Sequence, residues 1–249
     1  MEKYNYRKDP HQDIDHVFRD LLPAHGMVER PAQVELSHQM LDAMLNGSIA
    51  LCDAGTGIGK TYAYLVAGVV FRRYRSRAGL PNQPLLISTS SIALQGAIIH
   101  DYLPFLSKVM MADGMLDSPL RAVLRKGKSH YVCDARLMKR LQTANLDRKN
   151  PLAKAALLSM RDHLDLDMAP HLSGYDRERI CVPPTCDCGK TECRYLCYLD
   201  VCASERYAIQ VCNHNLLLAD AIHRGSGKRS ILPDSCAIVM DAVSYTHLR

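Results

Sequence analysis

Apolar positions in the first third of the chain recur at helical spacing, broken by short continuous apolar runs. Ile14, Val17, Phe18, Leu21 and Leu22 share one helical face before Pro23, His25 and Gly26 end the segment. A second helix is predicted from Pro31, with Val34, Leu36, Met40, Leu41, Met44 and Leu45 as its apolar positions and Asn46-Gly47 as its close. The runs are of another kind. Ile49 to Cys52, Pro84 to Ile87, Tyr207 to Cys212 and Ala237 to Asp241 are short, bounded by turn or polar residues, and read as buried strands. Helical patterns follow at Lys60 to Tyr74, Ile92 to Leu103 and Leu216 to Ile222. Strands alternating with helices predict an α/β fold built on a parallel sheet.

The middle of the chain departs from this rhythm. From Leu137 to about Leu172 charged and apolar residues alternate in a helical manner, and a field of cysteines follows. The expected organisation is residues 1–120 as the first part of the α/β domain, 121–205 as a small, mostly helical, cysteine-rich insertion, and 206–242 as the return of the α/β domain.

Between the first run and the helix at Lys60 lies Ala54-Gly55-Thr56-Gly57-Ile58-Gly59-Lys60-Thr61. Three glycines within five residues let the backbone turn tightly and aim its N–H groups inward. The following helix presents its positive end to the same cavity. Lys60 can reach the β- and γ-phosphates of a nucleotide, and Thr61 can place its hydroxyl on Mg2+. This is the pattern of a P-loop that binds ATP. The carboxylate of Asp241, at the tip of a later strand, stands where P-loop ATPases hold the magnesium ion. Gln33, just inside the second helix, has the donor and acceptor pair that reading an adenine edge requires.

Charge changes the picture through its distribution. The net charge is only +5 over 249 residues, but Arg72, Arg73, Arg75 and Arg77 form one cluster. Arg121, Arg125, Lys126, Lys128, Arg136, Lys139 and Arg140 form a second, opposed by Asp134 alone. Such clusters suit a polyanion, though each could equally be a solvated surface. No stretch approaches the ~20 apolar residues of a membrane span, and the N-terminus lacks an apolar signal region, so a cytoplasmic protein is expected. Disulfides are not expected there. Six of the ten cysteines lie between Cys181 and Cys202, which reads as metal or cluster ligation.

Taken in order, these parts resemble the N-terminal portion of a DinG-type helicase, a relative of XPD in superfamily 2. The resemblance rests on Arg30-Pro31-Ala32-Gln33, the P-loop, the Ser88-Thr89-Ser90 strand end, Gly127-Lys128-Ser129-His130-Tyr131-Val132-Cys133, the late cysteines, and Cys212 to Asp220 ahead of Asp241. It implies a RecA-like P-loop domain interrupted by an insertion carrying a [4Fe–4S] cluster. It implies ATP-dependent 5′-to-3′ DNA unwinding on single-stranded or forked DNA; DNA repair is one of several settings that employ such proteins, and the oligomeric state is left open, with a monomer expected. Lys60, Thr61 and Asp241 would be catalytic, residues 54–61 with Gln33 would bind ATP and Mg2+, and Thr89, Gln95, Arg125, Lys126 and Lys128 would contact DNA. Cys133, Cys186, Cys188 and Cys193 are the expected cluster ligands; Cys181 or Cys197 could replace one of them.

Two alternatives stay open. Zinc accepts the same thiolates in tetrahedral geometry, which would make the chain a non-catalytic nucleic-acid-binding module. The cysteines could also be buried and metal-free. The sequence departs from the family at its end: Asp241-Ala242-Val243 stands where the family has Asp-Glu-Ala-His. The glutamate that polarises the attacking water is absent, and residues 243–249 are expected to be a tail foreign to the family on a truncated, inactive chain.

Overall fold

In the computed structural model the described residues are 9–55, 57–143, 151–186 and 193–241. They divide into two compact units, residues 1–125 with 205–249, and residues 126–204. In chain order, α1 (Pro10–His16) runs on through a π-turn, Val17–Leu21, and α2 spans Pro31–Leu45. Helix α3 is Lys60–Arg77, β1 is Leu85–Thr89, α4 (Ile92–Ala97) leads into α5 (Leu103–Ala112), and β2 is Ala122–Arg125. The second unit holds α6 (Asp134–Thr143), α7 (Pro151–Ser159), α8 (Gly174–Ile180) and α9 (Arg194–Ala203). The chain then returns with β3 (Ile209–Cys212), α10 (His214–Gly225) and β4 (Ala237–Asp241).

The four strands form one parallel sheet in the order β2-β3-β1-β4, so the α/β expectation holds. β1 and β3, at its centre, are buried at every position, as parallel strands covered on both faces must be. Helix α3 is the backbone of the unit. Every residue from Ala63 to Phe71 is buried, so this helix has no solvent face over that stretch. One side meets α2, where the buried Ser37 hydroxyl donates to the Ala63 carbonyl at 3.0 Å. Another meets β1 so closely that a Cβ on Gly68 would lie 2.4 Å from Leu85 Cδ2. Asp13 of α1, 1% exposed, accepts from Arg73 Nη1 at 2.9 Å and pairs with Arg77. That pair fixes α1 across the C-terminal half of α3.

Two sequence expectations are corrected. Ile49 to Cys52 is not a strand: Ile49 is 93% and Leu51 97% exposed. A strand needs a ladder partner for its backbone groups, and none of the described strands pairs with this stretch. The outer edge of β4 is open among the described residues, with Ile238 and Met240 more than half exposed. Conversely, Ala122–Arg125 is a strand that joins β3 in register Ala122↔Ile209 to Arg125↔Cys212. The first unit therefore continues through Arg125 rather than ending at 120.

The second unit has its own core of Val132, Leu137, Leu157, Met160, Leu166, Leu172 and Ile180. Its polar frame is ionic. Arg140 Nε donates to Asp176 at 2.6 Å, Arg194 bridges to Asp134 and to the Met160 and Arg161 carbonyls, and Lys126 meets Asp165 at 2.6 Å and Asp167 at 2.9 Å.

Two predictions follow from packing and charge. Gly68→Ala is expected to destabilise the protein by about 1–3 kcal/mol through overpacking. Combined with Leu85→Ala it should cost less than the sum of the two single changes, read by denaturant unfolding. In the second unit, burial works against the Asp167 charge, but hydrogen bonds from Lys126, Arg177 and His130 outweigh it and hold the carboxyl at about 2. The folded value lies below the unfolded value of about 4. The contribution is therefore present above that pH and lost as pH falls towards 2. Asp167→Asn should remove this part of the acid dependence, followed by near-UV circular dichroism.

Candidate functional site

The loop at 54–61 is built by residues on two helices. Gly57 (φ 86°) and Gly59 (φ 91°, ψ 37°) sit in left-handed backbone, where a side chain would be strained. At Gly59 a Cβ would also lie 2.2 Å from the Gln33 amide nitrogen. That nitrogen donates to the Gly59 carbonyl at 2.7 Å, and Arg30 Nη1 donates to the Gly57 carbonyl at 2.6 Å. Lys60 Nζ reaches back across the loop to the Ala54 carbonyl at 3.0 Å. The chain thus turns around its own lysine, and α3 begins at Lys60 with its unpaired N–H groups at the loop. Gly55 and Ile58 complete the described loop; Thr56 lies outside the described residues.

The opposite wall of the site comes from the sheet. Asp241, at the end of β4, is in register with Thr89 of β1. Its Oδ2 accepts from the Tyr64 hydroxyl at 3.2 Å, and the Tyr64 phenol also engages the Thr61 side chain. Burial and the neighbouring Asp241 charge push the Tyr64 hydroxyl well above the ordinary range, so it acts as a neutral donor. Thr61 and Asp241, far apart in sequence, are therefore brought together through one phenol, with Lys60 the residue before Thr61. Tyr64 went unremarked in the sequence reading, although its i+3 spacing from Thr61 puts both on one helical face.

The other candidates make internal contacts. Gln33, read as an adenine reader, is buried with its amide nitrogen spent on Gly59, so it shapes the loop. Thr89 and Gln95 are 1% and 7% exposed, and the Gln95 amide donates to the Thr89 carbonyl at 2.8 Å. They tie the end of β1 to α4. Arg125 is 4% exposed and donates to Gln210 Oε1 at 2.8 Å and to the Ile231 carbonyl at 3.0 Å. It is a buried cation at the end of β2. Lys126 is held by two carboxylates, and Lys128 donates to the Pro184 carbonyl. Folding thus spends most of the second basic cluster on internal partners.

Among the cysteines, Cys133 is buried, with its N–H on the Ile180 carbonyl, and Cys193 caps α9. The Asp134–Arg194 pair, at 2.5 Å, ties the residue beside Cys133 to the residue beside Cys193. Cys188 lies outside the described residues. Among the described residues no group of three or more His, Cys, Asp or Glu side chains is placed to hold a metal ion. Cys212 is packing: burial pushes its thiol up to about 11. No described helix is long and apolar enough to cross a membrane.

Arg125→Ala is expected to destabilise the fold by about 1–3 kcal/mol, because it removes the buried hydrogen bonds to Gln210 Oε1 and the Ile231 carbonyl. Tyr64→Phe should cost about 1 kcal/mol. Thermal unfolding monitored by circular dichroism measures both.

No family model matches the chain. It is similar to the ATP-dependent DNA helicase YoaA of Haemophilus influenzae, 26% identical across 87% of this chain and 33% of the relative. The Escherichia coli YoaA helicase is 27% identical over the same shares. A Bacillus subtilis protein named 3′-5′ exonuclease DinG is 31% identical across 56% of this chain and 13% of its own length. The chain spans a third or less of each. Over most of its length, the chain is similar to proteins named as ATP-dependent DNA helicases of the YoaA type, and over about half of it to one named DinG.

Proposed function

We propose that this chain is the ATP-binding portion of a 5′-to-3′ DNA helicase of the DinG and XPD type. The observation that carries the reading is the joint placement of a glycine-built phosphate loop, Lys60 and Thr61 at the head of α3, and Asp241 across the Tyr64 hydroxyl. In this reading the loop N–H groups and Lys60 take the nucleotide phosphates. Thr61 and Asp241 hold Mg2+, which supplies charge neutralisation at the transferred phosphoryl group. Lys60 Nζ leaves the Ala54 carbonyl to do so, and Tyr64 keeps Asp241 aimed at the helix head. Position 242 is alanine where the family carries the glutamate that activates water. The chain is thus expected to bind ATP without efficient hydrolysis. The relatives' names give DNA as their substrate; single-stranded or forked DNA is the form proposed for this chain.

The second unit is proposed to carry a [4Fe–4S] cluster on Cys133, Cys186, Cys188 and Cys193. The described thiols do not themselves form a ligand set, so no step is assigned to the cluster. Support comes from the cysteine spacing and from the ion pair beside Cys133 and Cys193.

Two measurements test these roles. Lys60→Ala should abolish binding of a fluorescent ATP analogue and leave metal content unchanged; retained nucleotide affinity would overturn the site. Metal analysis of anaerobically purified protein should give about four irons per chain with broad absorption near 400 nm. Zinc instead would favour a structural metal module.

A further inference from the structure

A second basic site lies on the first unit, at the opposite edge of the sheet from the phosphate loop. Helix α3 is about 27 Å long at 1.5 Å per residue. Its far end lines an open pocket of about 480 Å³, together with the segments that enter β1, β2 and β3. Arg72, Arg73 and Arg77 come from α3, Arg121 from the residue before β2, and Arg206 from the approach to β3. Asp117 and Glu205 are the carboxylates in its wall.

Five arginines thus converge from three separate segments on one cavity. Their partners do not use up the charge. Arg72 donates to the Gln83 carbonyl at 2.9 Å and to Asn82 Oδ1 at 2.5 Å, both neutral acceptors. Burial lowers its pKa, and Cys236 and Glu205 only partly offset this. Arg73 and Arg77 share Asp13. Arg121 and Arg206 are exposed, and their side chains make no described hydrogen bond or ion pair. The helix C-terminus alone attracts cations to its last carbonyls. That accounts for Arg77 but not for Arg121 and Arg206, which arrive from strand-entry segments.

Guanidinium groups grip phosphate oxygens in pairs, and the cavity has the volume of a ligand site. It is open to solvent, and the negative end of α3 faces it. A compact, multiply charged free phosphate meets that end unfavourably, whereas a phosphodiester brings one charge per unit and can run on beyond the pocket. We propose that this pocket is a second nucleic-acid site, which takes backbone phosphates of a single strand on the face away from the phosphate loop. It does not depend on the ATP-binding assignment.

The test uses the full chain and a fluorescein-labelled single-stranded oligonucleotide, titrated by anisotropy between 50 and 200 mM salt. The paired variant Arg121→Ser with Arg206→Ser removes two exposed side chains. The control, Lys154→Ser with Arg161→Ser, removes the same charge from exposed positions of the second unit outside the basic cluster. The arginine pair should bind several-fold more weakly, and its log–log salt slope should fall by about 0.7 for each lost phosphate contact. The control pair should keep the parent slope, and binding of the fluorescent ATP analogue should be unchanged in the arginine pair. Equal affinity and slope in the two paired variants would overturn the proposal. So would sensitivity to these arginines of tripolyphosphate binding alone, with oligonucleotide binding unmoved. If the serine pair unfolds at assay temperature, Arg121→Gln with Arg206→Gln carries the same reading.

Discussion

The complete burial of α3 between Ala63 and Phe71 is the constraint on which the first unit depends. A helix with no solvent face cannot rotate or slide without emptying its surroundings, because interiors are packed to near crystalline density. Its head therefore delivers Lys60 and Thr61 to the phosphate loop, and its tail delivers three arginines to the far pocket, as one rigid piece. Gly68 is where that rigidity is set against the sheet, and Asp13 is where it is set against α1.

Electrostatics then separates the two ends. At the head, unpaired N–H groups and the two left-handed glycines make a positive concavity out of backbone alone. At the tail the backbone is negative, and positive character has to be imported on side chains from several segments. The first kind of site is written in a handful of adjacent letters, the second in residues scattered from 72 to 206.

That contrast explains what could be read before folding. The phosphate loop was legible because its chemistry is local, and α2, α3, β1, β3 and β4 because their apolar periods are clear. β2 was not: it is four residues long and flanked by arginines, so pairing with β3 rather than propensity makes it a strand. The internal partners of the second basic cluster were hidden for a related reason. Sequence counts charges but does not show Asp165, Asp167, Asp176 and the Ile231 carbonyl arriving from elsewhere to take them. Ile49 to Cys52 has the composition of a strand, yet composition supplies no partner.

The open edge of β4 has a practical consequence. Among the described residues its outer backbone groups have no ladder partner and run beside Ile238 and Met240, a combination that offers a ready template to an extended segment of matching register. Concentrated samples should be handled as proteins prone to edge-to-edge association.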